Sequence, residues 1–374
     1  MLAKFAVTNY RGFKERIEWD LSSPSNYAFN NFAVKNGIVK NGIIYGPNGS
    51  GKSNMGLAVF DIANHLSHKW KKPDYYVNFA NASNMGEVVD FEYTFKFNGT
   101  ILEYAYSKRI QNSNVRIVKE RLLLDGEEML YKDEQTAKLS GSLSLPDTAI
   151  DGFQKSANNI SLINFLLISL PLPKEHFLLL LRDFVENMHF FRSLDNREFI
   201  GLKEGGSNIE EYLINNGLVD EFSEFLKTVS RQDFNFAKPM PGDKMLFCVF
   251  GETKIPFALI ASTGTLNLEL QFFWLCEMKN ASFVFVDEFD AFYHHELSFA
   301  ICKQLFKGEM QTFVSTHDTF LLTNDLLRPD CFFILNNKKI KAICDLTDKE
   351  LRLGHNLEKL YRGGTFVVCD EITA

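Results

Sequence analysis

The chain has 374 residues, 45% of them hydrophobic, and a formal net charge of −7 at pH 7. This length is sufficient for two packed units, and the negative balance argues against a protein that presents a largely basic surface to nucleic acid. Lys4, Asn9 and Arg11 interrupt the N-terminus early, so no signal peptide is predicted. The most apolar stretch, 160–181, is broken by prolines and charges, which excludes a membrane span there. We therefore expect a cytoplasmic location.

A glycine-rich loop is the first strong motif in the chain. Residues 46–53 read GPNGSGKS, which matches the pattern G-x-x-x-x-G-K-[ST], and they follow the apolar run 42–45. A buried strand, a glycine-rich turn and then a helix are the context in which this pattern binds phosphate. The helix predicted from Ser53 to about His65 adds positive potential at its N-terminus. The alternative interpretation is a Gly/Ser turn with a stray lysine.

The side chains of this loop predict the ligand. Lys52 would reach the β- and γ-phosphates, and the hydroxyl of Ser53 would occupy one coordination position on Mg²⁺. The glycines let the backbone N–H groups turn towards the phosphate oxygens. The residues predicted to bind the phosphates are Gly46, Pro47, Asn48, Gly49, Ser50, Gly51, Lys52 and Ser53. The sequence therefore predicts a site for a nucleoside triphosphate, which we take as ATP with Mg²⁺.

Hydrophobic periodicity divides the chain into three regions. Alternating runs over 87–97, and then on to a hairpin signal at Asp125-Gly126, predict antiparallel strands. Residues 155–235 lose this alternation and have helical spacing. From about 244, strands and helices alternate again. We therefore predict a first ATPase lobe with the phosphate loop and a β subdomain over 1–150, a mostly helical insertion over 151–240, and a second ATPase lobe over 241–374.

A second candidate anion site precedes a predicted helix. Ser262-Thr263-Gly264-Thr265 follows an apolar run and opens the helical sequence LNLELQFFWLCEM. A short turn of this kind offers backbone N–H groups, a hydroxyl and a helix dipole. One bound nucleotide does not need two such sites in one subunit, so we predict that this turn contacts the γ-phosphate held by another subunit. The alternative is an ordinary helix N-cap.

Two adjacent carboxylates end a predicted strand. Residues 282–288 read SFVFVDE, a continuous apolar run of the kind found in strands of parallel sheets. Asp287 would hold Mg²⁺ through water, and Glu288 would act as general base for the attacking water. The alternative is an ordinary strand that ends in two solvated acids.

A histidine ends the next predicted strand. Residues 311–318 read QTFVSTHD, and His317 at the end of this run could bind a γ-phosphate oxygen and sense its presence. The run follows the acid-tipped strand by about thirty residues, the span of one β-α-β unit, so both strand ends should lie on the same edge of a sheet.

The order of these motifs resembles the ABC-type ATPase heads of the SMC, RecF and OLD group. Three further stretches carry the resemblance. Residues 8–22 resemble the N-terminal strand pair of that group; residues 287–297 resemble its DE-x-E-x-x-L-H-P stretch, with His294 at the histidine and His295 in place of the proline; residues 353–366 resemble its C-terminal segment. The resemblance implies an α/β fold, an ABC-type (RecA-like P-loop) ATPase head with an N-terminal antiparallel β subdomain.

Roles for individual residues also follow from this resemblance. It implies that Asp287 binds Mg²⁺, that Glu288 is the catalytic base and that His317 is a switch. It implies that Ser262 and Gly264 act across a homodimer or higher homo-oligomer in which ATP is sandwiched between heads. Arg11 matches an arginine that contacts nucleotide in the family, although a surface arginine in a hairpin is an equal alternative. We could not place the family's lobe-joining glutamine among Gln111, Gln135 and Gln154.

The resemblance also suggests a biological context. OLD nucleases carry a metal-binding TOPRIM domain after the head, whereas this sequence stops at Ala374. Glu120, Asp125 and Asp290 stand as isolated acids in turn or helix contexts, as do Asp370-Glu371, so we do not expect nuclease activity. The chain resembles the ATPase subunits of bacterial defence systems such as AbiL, RloA and PARIS (AriA). We therefore predict an ATP-driven sensor or switch that controls a separate effector, a nuclease or toxin, in anti-phage defence.

A DNA-maintenance ATPase of the RecF or SMC type, which binds DNA directly, is the alternative function. Residues 151–235 contain 8 lysines and arginines against 13 acids, which does not favour DNA binding by this segment. Two small basic stretches, 69–72 and 338–341, could still form a patch. The helical region has no sustained heptads, so it cannot form the long coiled coil of an SMC arm.

Overall fold

A computed structural model of the chain describes residues 1–67, 79–111, 114–156, 160–193, 199–200, 209–240 and 242–366. The basic stretch 69–72 and the acids Asp370 and Glu371 lie outside these residues. Within the described ranges, no helix is both long enough and apolar enough to cross a membrane.

The strands of the described residues form two large sheets and two short hairpins. They are β1 (Leu2–Thr8), β2 (Ile17–Asp20), β3 (Val34–Lys35), β4 (Ile38–Val39), β5 (Asn41–Tyr45), β6 (Val89–Phe97), β7 (Thr100–Gln111), β8 (Asn114–Leu124), β9 (Glu127–Lys132), β10 (Ala137–Leu139), β11 (Met188–Arg192), β12 (Phe199–Ile200), β13 (Phe247–Phe250), β14 (Thr253–Pro256), β15 (Phe283–Asp287), β16 (Gln311–Thr316), β17 (Phe332–Asn336) and β18 (Lys339–Ala342).

The α-helices of the described residues lie mainly in the middle and in the last third of the chain. They are α1 (Lys52–Val59), α2 (Asp61–Leu66), α3 (Asp147–Ser156), α4 (Leu162–Ser169), α5 (Phe177–Glu186), α6 (Ile209–Asn215), α7 (Val219–Ser230), α8 (Phe257–Ile260), α9 (Thr263–Glu277), α10 (His295–Leu305) and α11 (Leu357–Arg362). The helix predicted to follow the phosphate loop is divided at Phe60 into α1 and α2.

The first sheet is antiparallel throughout, with the strand order β10-β9-β8-β7-β6-β1-β2. β6 alternates between buried and partly exposed residues, as a sheet with one face on the core requires. The turns after β6 and β8 carry Asn98-Gly99 and Asp125-Gly126, and all four residues have positive φ, as two-residue hairpin turns require. The predicted hairpins and N-terminal strand pair are confirmed.

The second sheet has the order β12-β11-β15-β16-β5-β17-β18, and its central strands from β11 to β17 are parallel. β5, β15 and β16 are buried at every residue, as expected for strands covered on both faces. Because parallel strands end at one edge, the segments after these three strands meet there. The parallel sheet with its helices confirms the predicted α/β fold class.

The described residues of the segment 151–240 are mostly helical, but they also supply β11 and β12 to the second sheet. β11 pairs with β15, so that Met188 lies opposite Phe283 and Arg192 lies opposite Asp287. The sequence analysis did not predict this strand, because the run MHFFR is too short for its periodicity to separate a strand from a helix. The segment therefore contributes directly to the sheet that carries the acid pair.

The helices α1 and α2 lie between the two sheets. The hydroxyl of Tyr93 on β6 donates to the carbonyl oxygen of Ala58 at 3.1 Å. On the other side, the ring of Phe60 packs against Phe190 and Phe283, with centroid distances of 5.5 and 5.8 Å. The helical segment that follows the glycine-rich loop is thus held by a tyrosine hydrogen bond on one side and by aromatic packing on the other.

Glu120 on β8 is fully buried and joins three elements. Its Oε1 accepts hydrogen bonds from the hydroxyls of Ser161 at 2.6 Å and Tyr104 at 2.8 Å, and its Oε2 accepts one from the N–H of Leu162 at 2.8 Å. Burial alone would raise the pKa of Glu120, but the surrounding donors and the nearby His65 lower it. The prediction of an isolated acid in a turn or helix was wrong, because the fold brings donors from α2 and α4 to this strand.

Candidate functional site

The segments that follow β5, β15 and β16 line one cleft at the carboxyl edge of the parallel sheet. The cleft has a volume of about 580 Å³, within the usual range for small-molecule sites. Its lining residues are Asn48, Gly49, Gly51, Lys52, Ser53, Asn54, Glu288, Asp290, Ala291 and His317. The glycine-rich loop, the second acid of the acid pair and the predicted switch histidine, which are distant in sequence, therefore share one cavity.

The glycine-rich loop has a backbone conformation suited to an anion. Gly49 and Gly51 have φ angles of +78° and +107°, which residues with a β-carbon rarely adopt. A β-carbon on Gly51 would also lie 2.8 Å from the ring of Phe13. α1 begins at Lys52, so its first backbone N–H groups and its dipole face the cleft. These features fit the phosphates of a nucleotide.

Lys52 contacts the predicted switch histidine. Its Nζ donates to the carbonyl oxygen of Gly46 at 2.8 Å and to Nε2 of His317 at 2.9 Å. Burial lowers the pKa of Lys52, and the neighbouring carboxylates oppose that shift. Burial and the charge of Lys52 lower the pKa of His317, so its imidazole is neutral at pH 7 and can accept the lysine N–H.

Asp287 is fully buried at the end of β15. Its Oδ1 accepts a hydrogen bond from the hydroxyl of Ser315 at 2.6 Å. Its Oδ2 lies 3.3 Å from Nε of Arg192, the last residue of β11. Ser315 and Arg192 belong to the two strands that flank β15, so the parallel sheet itself fixes the position of this carboxylate.

Glu288 has an unusual backbone conformation. Its φ is +49°, in the left-handed region, which a residue with a long side chain adopts only when the surrounding structure holds it there. Its N–H donates to the hydroxyl of Ser315 at 2.9 Å. The same hydroxyl therefore holds both residues of the acid pair, and the sharp turn directs the chain into the cleft.

Asp290 is a further carboxylate of the cleft. Its Oδ2 accepts a hydrogen bond from the hydroxyl of Thr316 at 2.5 Å. Oγ1 of Thr316 in turn accepts a hydrogen bond from the N–H of Asp318 at 2.8 Å. Burial raises the pKa of Asp290. The prediction of an isolated acid was wrong for this residue, because the turn after β15 brings it against the end of β16.

His294 and His295, which follow the acid pair, lie at the start of α10. Nδ1 of His294 accepts a hydrogen bond from the N–H of Leu297 at 3.2 Å and so caps the helix. His295 is the first helical residue, the position at which proline is favoured in other helices. Its Nδ1 lies 2.8 Å from Oδ2 of Asp318, which raises the pKa of this histidine.

The S-T-G-T turn lies at the surface. Ser262 and Thr263 are exposed, and the turn is not among the described residues that line the cleft. The hydroxyl of Ser262 accepts the N–H of Thr265 at 3.2 Å, so it caps α9. A β-carbon on Gly264 would lie 3.7 Å from the carbonyl oxygen of Phe292, in the turn after the acid pair. The turn therefore is a helix cap in this chain and is also accessible to a second molecule.

Arg11 lies at the tip of a tight turn next to the glycine-rich loop. Tyr10 and Phe13 exchange backbone hydrogen bonds of 2.8 and 2.7 Å across this turn. Arg11 has a φ of +42°, and the ring of Phe13 lies under Gly51. The turn thus braces the loop from the antiparallel sheet, and the nucleotide contact of Arg11 stays a prediction.

Sequence reasoning missed three residues that shape or support the site. Arg192 and Ser315 bind the buried Asp287, and Gln311 joins the sheets through hydrogen bonds with Leu2 and Val39. β11 ends in the charge of Arg192 much as β15 ends in that of Asp287, but its apolar run is too short to indicate a strand by itself. The bonds of Ser315 and Gln311 depend on tertiary contacts for which no sequence signal exists.

The donor set at the head of the cleft fits Mg²⁺. The hydroxyl of Ser53 and the carboxylate of Asp287 are the hard oxygen ligands that this cation prefers. Asp287 is fully buried at the end of β15, and Ser53 lies in the first turn of α1, so the two donors come from different elements of the fold.

Comparison with known proteins agrees with this architecture. The family described as "AAA domain, putative AbiEii toxin, Type IV TA system" matches residues 43–323, a range that includes Lys52, Ser262, Asp287, Glu288 and His317. No curated protein sequence matches the chain.

Solved structures of SMC heads are similar to the chain. The SMC head domain from Thermotoga maritima is 14% identical, covers 91% of this chain and 97% of its own, and has a TM-score of 0.43. An SMC head bound to the C-terminal winged-helix domain of ScpA is 14% identical over 91% and 96% of the two chains, with a TM-score of 0.47. An SMC head with an extended coiled coil bound to a domain of ScpA, from Pyrococcus furiosus, is also 14% identical over 91% and 95%, with a TM-score of 0.42.

The family match covers most of the chain and includes every residue found to line the cleft. The chain is therefore a P-loop ATPase of the AAA class, and it belongs to the family of AAA domains described as putative AbiEii toxins of type IV toxin–antitoxin systems.

Proposed function

We propose that the chain binds ATP with Mg²⁺ in the cleft at the carboxyl edge of the parallel sheet and hydrolyses it slowly. The observation that carries this proposal is the meeting of Lys52, Glu288 and His317 in one cavity. Each comes from a different segment, and each supplies a group that phosphoryl transfer to water requires: a cation for the phosphates, a base for the water and a hydrogen-bonding group for the transferred phosphate.

The residues of the cleft divide the chemistry between them. Lys52 releases the carbonyl oxygen of Gly46 and binds the β- and γ-phosphate oxygens, whose negative charge the α1 N–H groups also stabilise. Glu288 accepts a proton from the attacking water as the bond from water oxygen to γ-phosphorus forms and the bond to the leaving β-phosphate oxygen breaks. His317 binds a γ-phosphate oxygen. Ser53 and Asp287 would hold Mg²⁺, which supplies further neutralisation of the phosphate charge.

The exposed S-T-G-T turn supports a sandwich of two heads around each nucleotide. Ser262 is exposed and Gly264 is partly exposed, and neither is among the described residues that line the cleft of their own chain. An exposed helix N-terminus with a free approach can contact an anion held by another molecule. We infer a homodimer or higher homo-oligomer in which this turn faces the γ-phosphate bound by the partner.

The proposed biological role is control of a separate effector in anti-phage defence. The family description names a toxin and a type IV toxin–antitoxin system. The contact between His317 and Lys52, which ATP would replace, supports a change of state on nucleotide binding. The effector would be a nuclease or a toxin. ATP binding would change the contacts of β16 and of the turn after β15, and the effector would respond to that change.

The test of ATP hydrolysis uses one substitution in the cleft and one matched control. Glu288→Gln preserves size but cannot accept a proton from water, so we expect normal ATP binding and a loss of turnover of about 10²-fold or more. Glu309→Gln changes an acid that is exposed at the opposite edge of the sheet, and its turnover should equal that of the wild type. Binding of a fluorescent ATP analogue and phosphate release are measured on the same samples.

Equal turnover in Glu288→Gln and Glu309→Gln would mean that Glu288 is not the base.

The effector role is tested in cells. Toxicity should require a neighbouring gene product, and Lys52→Ala should block its activation. Toxicity from this chain alone, unaffected by Lys52→Ala, would contradict the proposed division between ATPase and effector.

A further inference from the structure

A partly buried arginine lies against the carboxylate that is predicted to bind the cation. Arg192 ends β11 and pairs in register with Asp287, and the N–H of the next residue, Ser193, donates to the carbonyl oxygen of Asp287 at 3.2 Å. Nε of Arg192 lies 3.3 Å from Oδ2 of Asp287, and the side chains are 12% and 0% exposed. The arginine therefore contacts a fully buried carboxylate and keeps slight exposure of its own side chain.

The contact differs from a structural ion pair elsewhere in the same chain. Arg328 binds Asp330 through two hydrogen bonds of 2.8 Å, from Nε and Nη2, and both side chains are buried. Such a bidentate ion pair is strong and holds both side chains in one geometry. The contact of Arg192 at 3.3 Å is longer than the usual range for a charge-assisted hydrogen bond. The Arg192 contact is therefore the weaker of the two and the easier to replace.

The carboxylate of Asp287 also has a second donor. Ser315 holds Oδ1 at 2.6 Å, so the oxygen that faces Arg192 is the one whose partner can change without loss of the serine bond. A guanidinium remains charged at every physiological pH. A divalent cation that approaches the same carboxylate meets this positive charge at short range and in a partly desolvated place, where repulsion is strong.

We propose that Arg192 is a positioning residue that competes with the divalent cation for Asp287. In the nucleotide-free chain it neutralises the buried carboxylate and holds its orientation. When the cation and ATP bind, the guanidinium withdraws from Oδ2. Because β11 belongs to the segment 151–240, cation loading is thereby linked to that segment. This inference rests on the proposed function, since it assumes that Mg²⁺ and ATP bind in this cleft.

The test measures cation binding directly and does not depend on turnover. In a Glu288→Gln background with saturating ATP, free Mn²⁺ is followed by electron paramagnetic resonance as the protein is titrated. Arg192→Gln and Arg192→Met, which both remove the charge, should bind Mn²⁺ about tenfold more tightly than the parent. Arg192→Lys keeps the charge and should stay within about twofold of the parent.

A matched control is Arg328→Gln, which removes the charge from the other buried pair. It should lower stability and leave Mn²⁺ affinity unchanged. Two variants of Arg192 are used so that misfolding of one, seen by thermal unfolding, leaves the other to decide. Unchanged or weaker Mn²⁺ binding in a folded, uncharged Arg192 variant overturns the inference. Failure of the parent itself to bind ATP overturns the proposed function instead, so the two failures are distinguishable.

Discussion

The two edges of the parallel sheet bury similar polar groups in different ways. At the amino edge, Nζ of Lys40 donates to the carbonyl oxygen of Gly308 at 2.8 Å, and the amide of Gln311 bonds with the backbone of Leu2 and Val39. These partners are backbone groups of neighbouring elements, which cannot leave. Polar burial at this edge joins the two sheets and contributes stability.

At the carboxyl edge the partners are mostly side chains and loop atoms. Lys52 contacts His317 and the loop carbonyl of Gly46, and Asp287 contacts Ser315 and Arg192. These groups can exchange partners when a ligand enters. A buried charge is therefore not by itself a sign of function. What indicates function is a position at the carboxyl edge with partners that a ligand can replace.

The largest effect should separate two buried lysines at opposite ends of β5. Lys52→Ala removes the cation for the phosphates, so we expect ATP affinity to fall by about a hundredfold or more. Lys40→Ala leaves one carbonyl unpaired, so we expect a loss of about 1 to 2 kcal/mol of stability and normal ATP affinity. Calorimetric binding and urea unfolding of both variants measure this. If Lys40→Ala lost ATP affinity as well, the contrast between the edges would fail.

A second effect concerns the joint between the sheets. Gln311→Ala removes hydrogen bonds to three buried backbone groups and should lower the free energy of unfolding by about 2 to 3 kcal/mol. The exposed Gln135, changed to alanine, serves as the control and should cost much less. Nucleotide affinity of folded Gln311→Ala should be unchanged. A wild-type free energy of unfolding for this variant would mean that the amino edge does not join the sheets as described.

The third prediction tests whether the S-T-G-T turn is more than a helix cap. Ser262→Asp keeps an N-cap acceptor but places a negative charge where the phosphate of a partner would lie, so ATP-dependent dimerisation of Glu288→Gln should weaken about tenfold. Ser262→Ala loses the cap, at a cost of about 1 kcal/mol. Light scattering with and without ATP measures the mass. Dimers of unchanged strength in Ser262→Asp would leave the turn as a cap alone.

The smallest effect is a pH dependence in the antiparallel sheet. The pKa of Glu120 is lowered in the folded chain to about 2, so its stabilisation is present above the unfolded pKa and declines as pH falls below about 4.5. The stability difference between wild type and Glu120→Gln should therefore be about 1 kcal/mol smaller at pH 4 than at pH 7. Urea unfolding at the two pH values measures this, and a difference that grows on acidification would contradict the assigned pKa shift.

Much of the fold could be predicted from local patterns. The alternation in β6 and the turn at Asp125-Gly126 are local signals, and β15 has four consecutive apolar residues before its acids, whereas β11 has only two before Arg192. β11 was missed because its signal is short, and with it the contact between Arg192 and Asp287. Of the glutamines considered for joining the lobes, Gln111 and Gln135 lie in or beside the antiparallel sheet and Gln154 lies in α3, so the lobe-joining glutamine stays unassigned. Gln311, which was not considered, hydrogen-bonds with Leu2 in the other sheet.

The residues of the candidate site could be predicted where a sequence motif or the end of a predicted strand indicates their role. Lys52, Asp287, Glu288 and His317 were identified from motif and strand position, and the structure brings them to one edge. The bonds of Ser315 and Asp290 could not be predicted, because each depends on the register between β15 and β16 and on the turn that follows. Sequence patterns place strand ends, whereas tertiary register decides which side chains meet.

The most direct test of the central claim is a crystal structure of Glu288→Gln with ATP and Mg²⁺. The account predicts the γ-phosphate between Lys52 and His317, with Nζ of Lys52 withdrawn from the carbonyl oxygen of Gly46 and the Ser262 turn of a second molecule facing the same phosphate. Nucleotide bound elsewhere, for example in the separate cavity of about 530 Å³ between Phe299 and Leu353, with the glycine-rich loop unchanged, would contradict it.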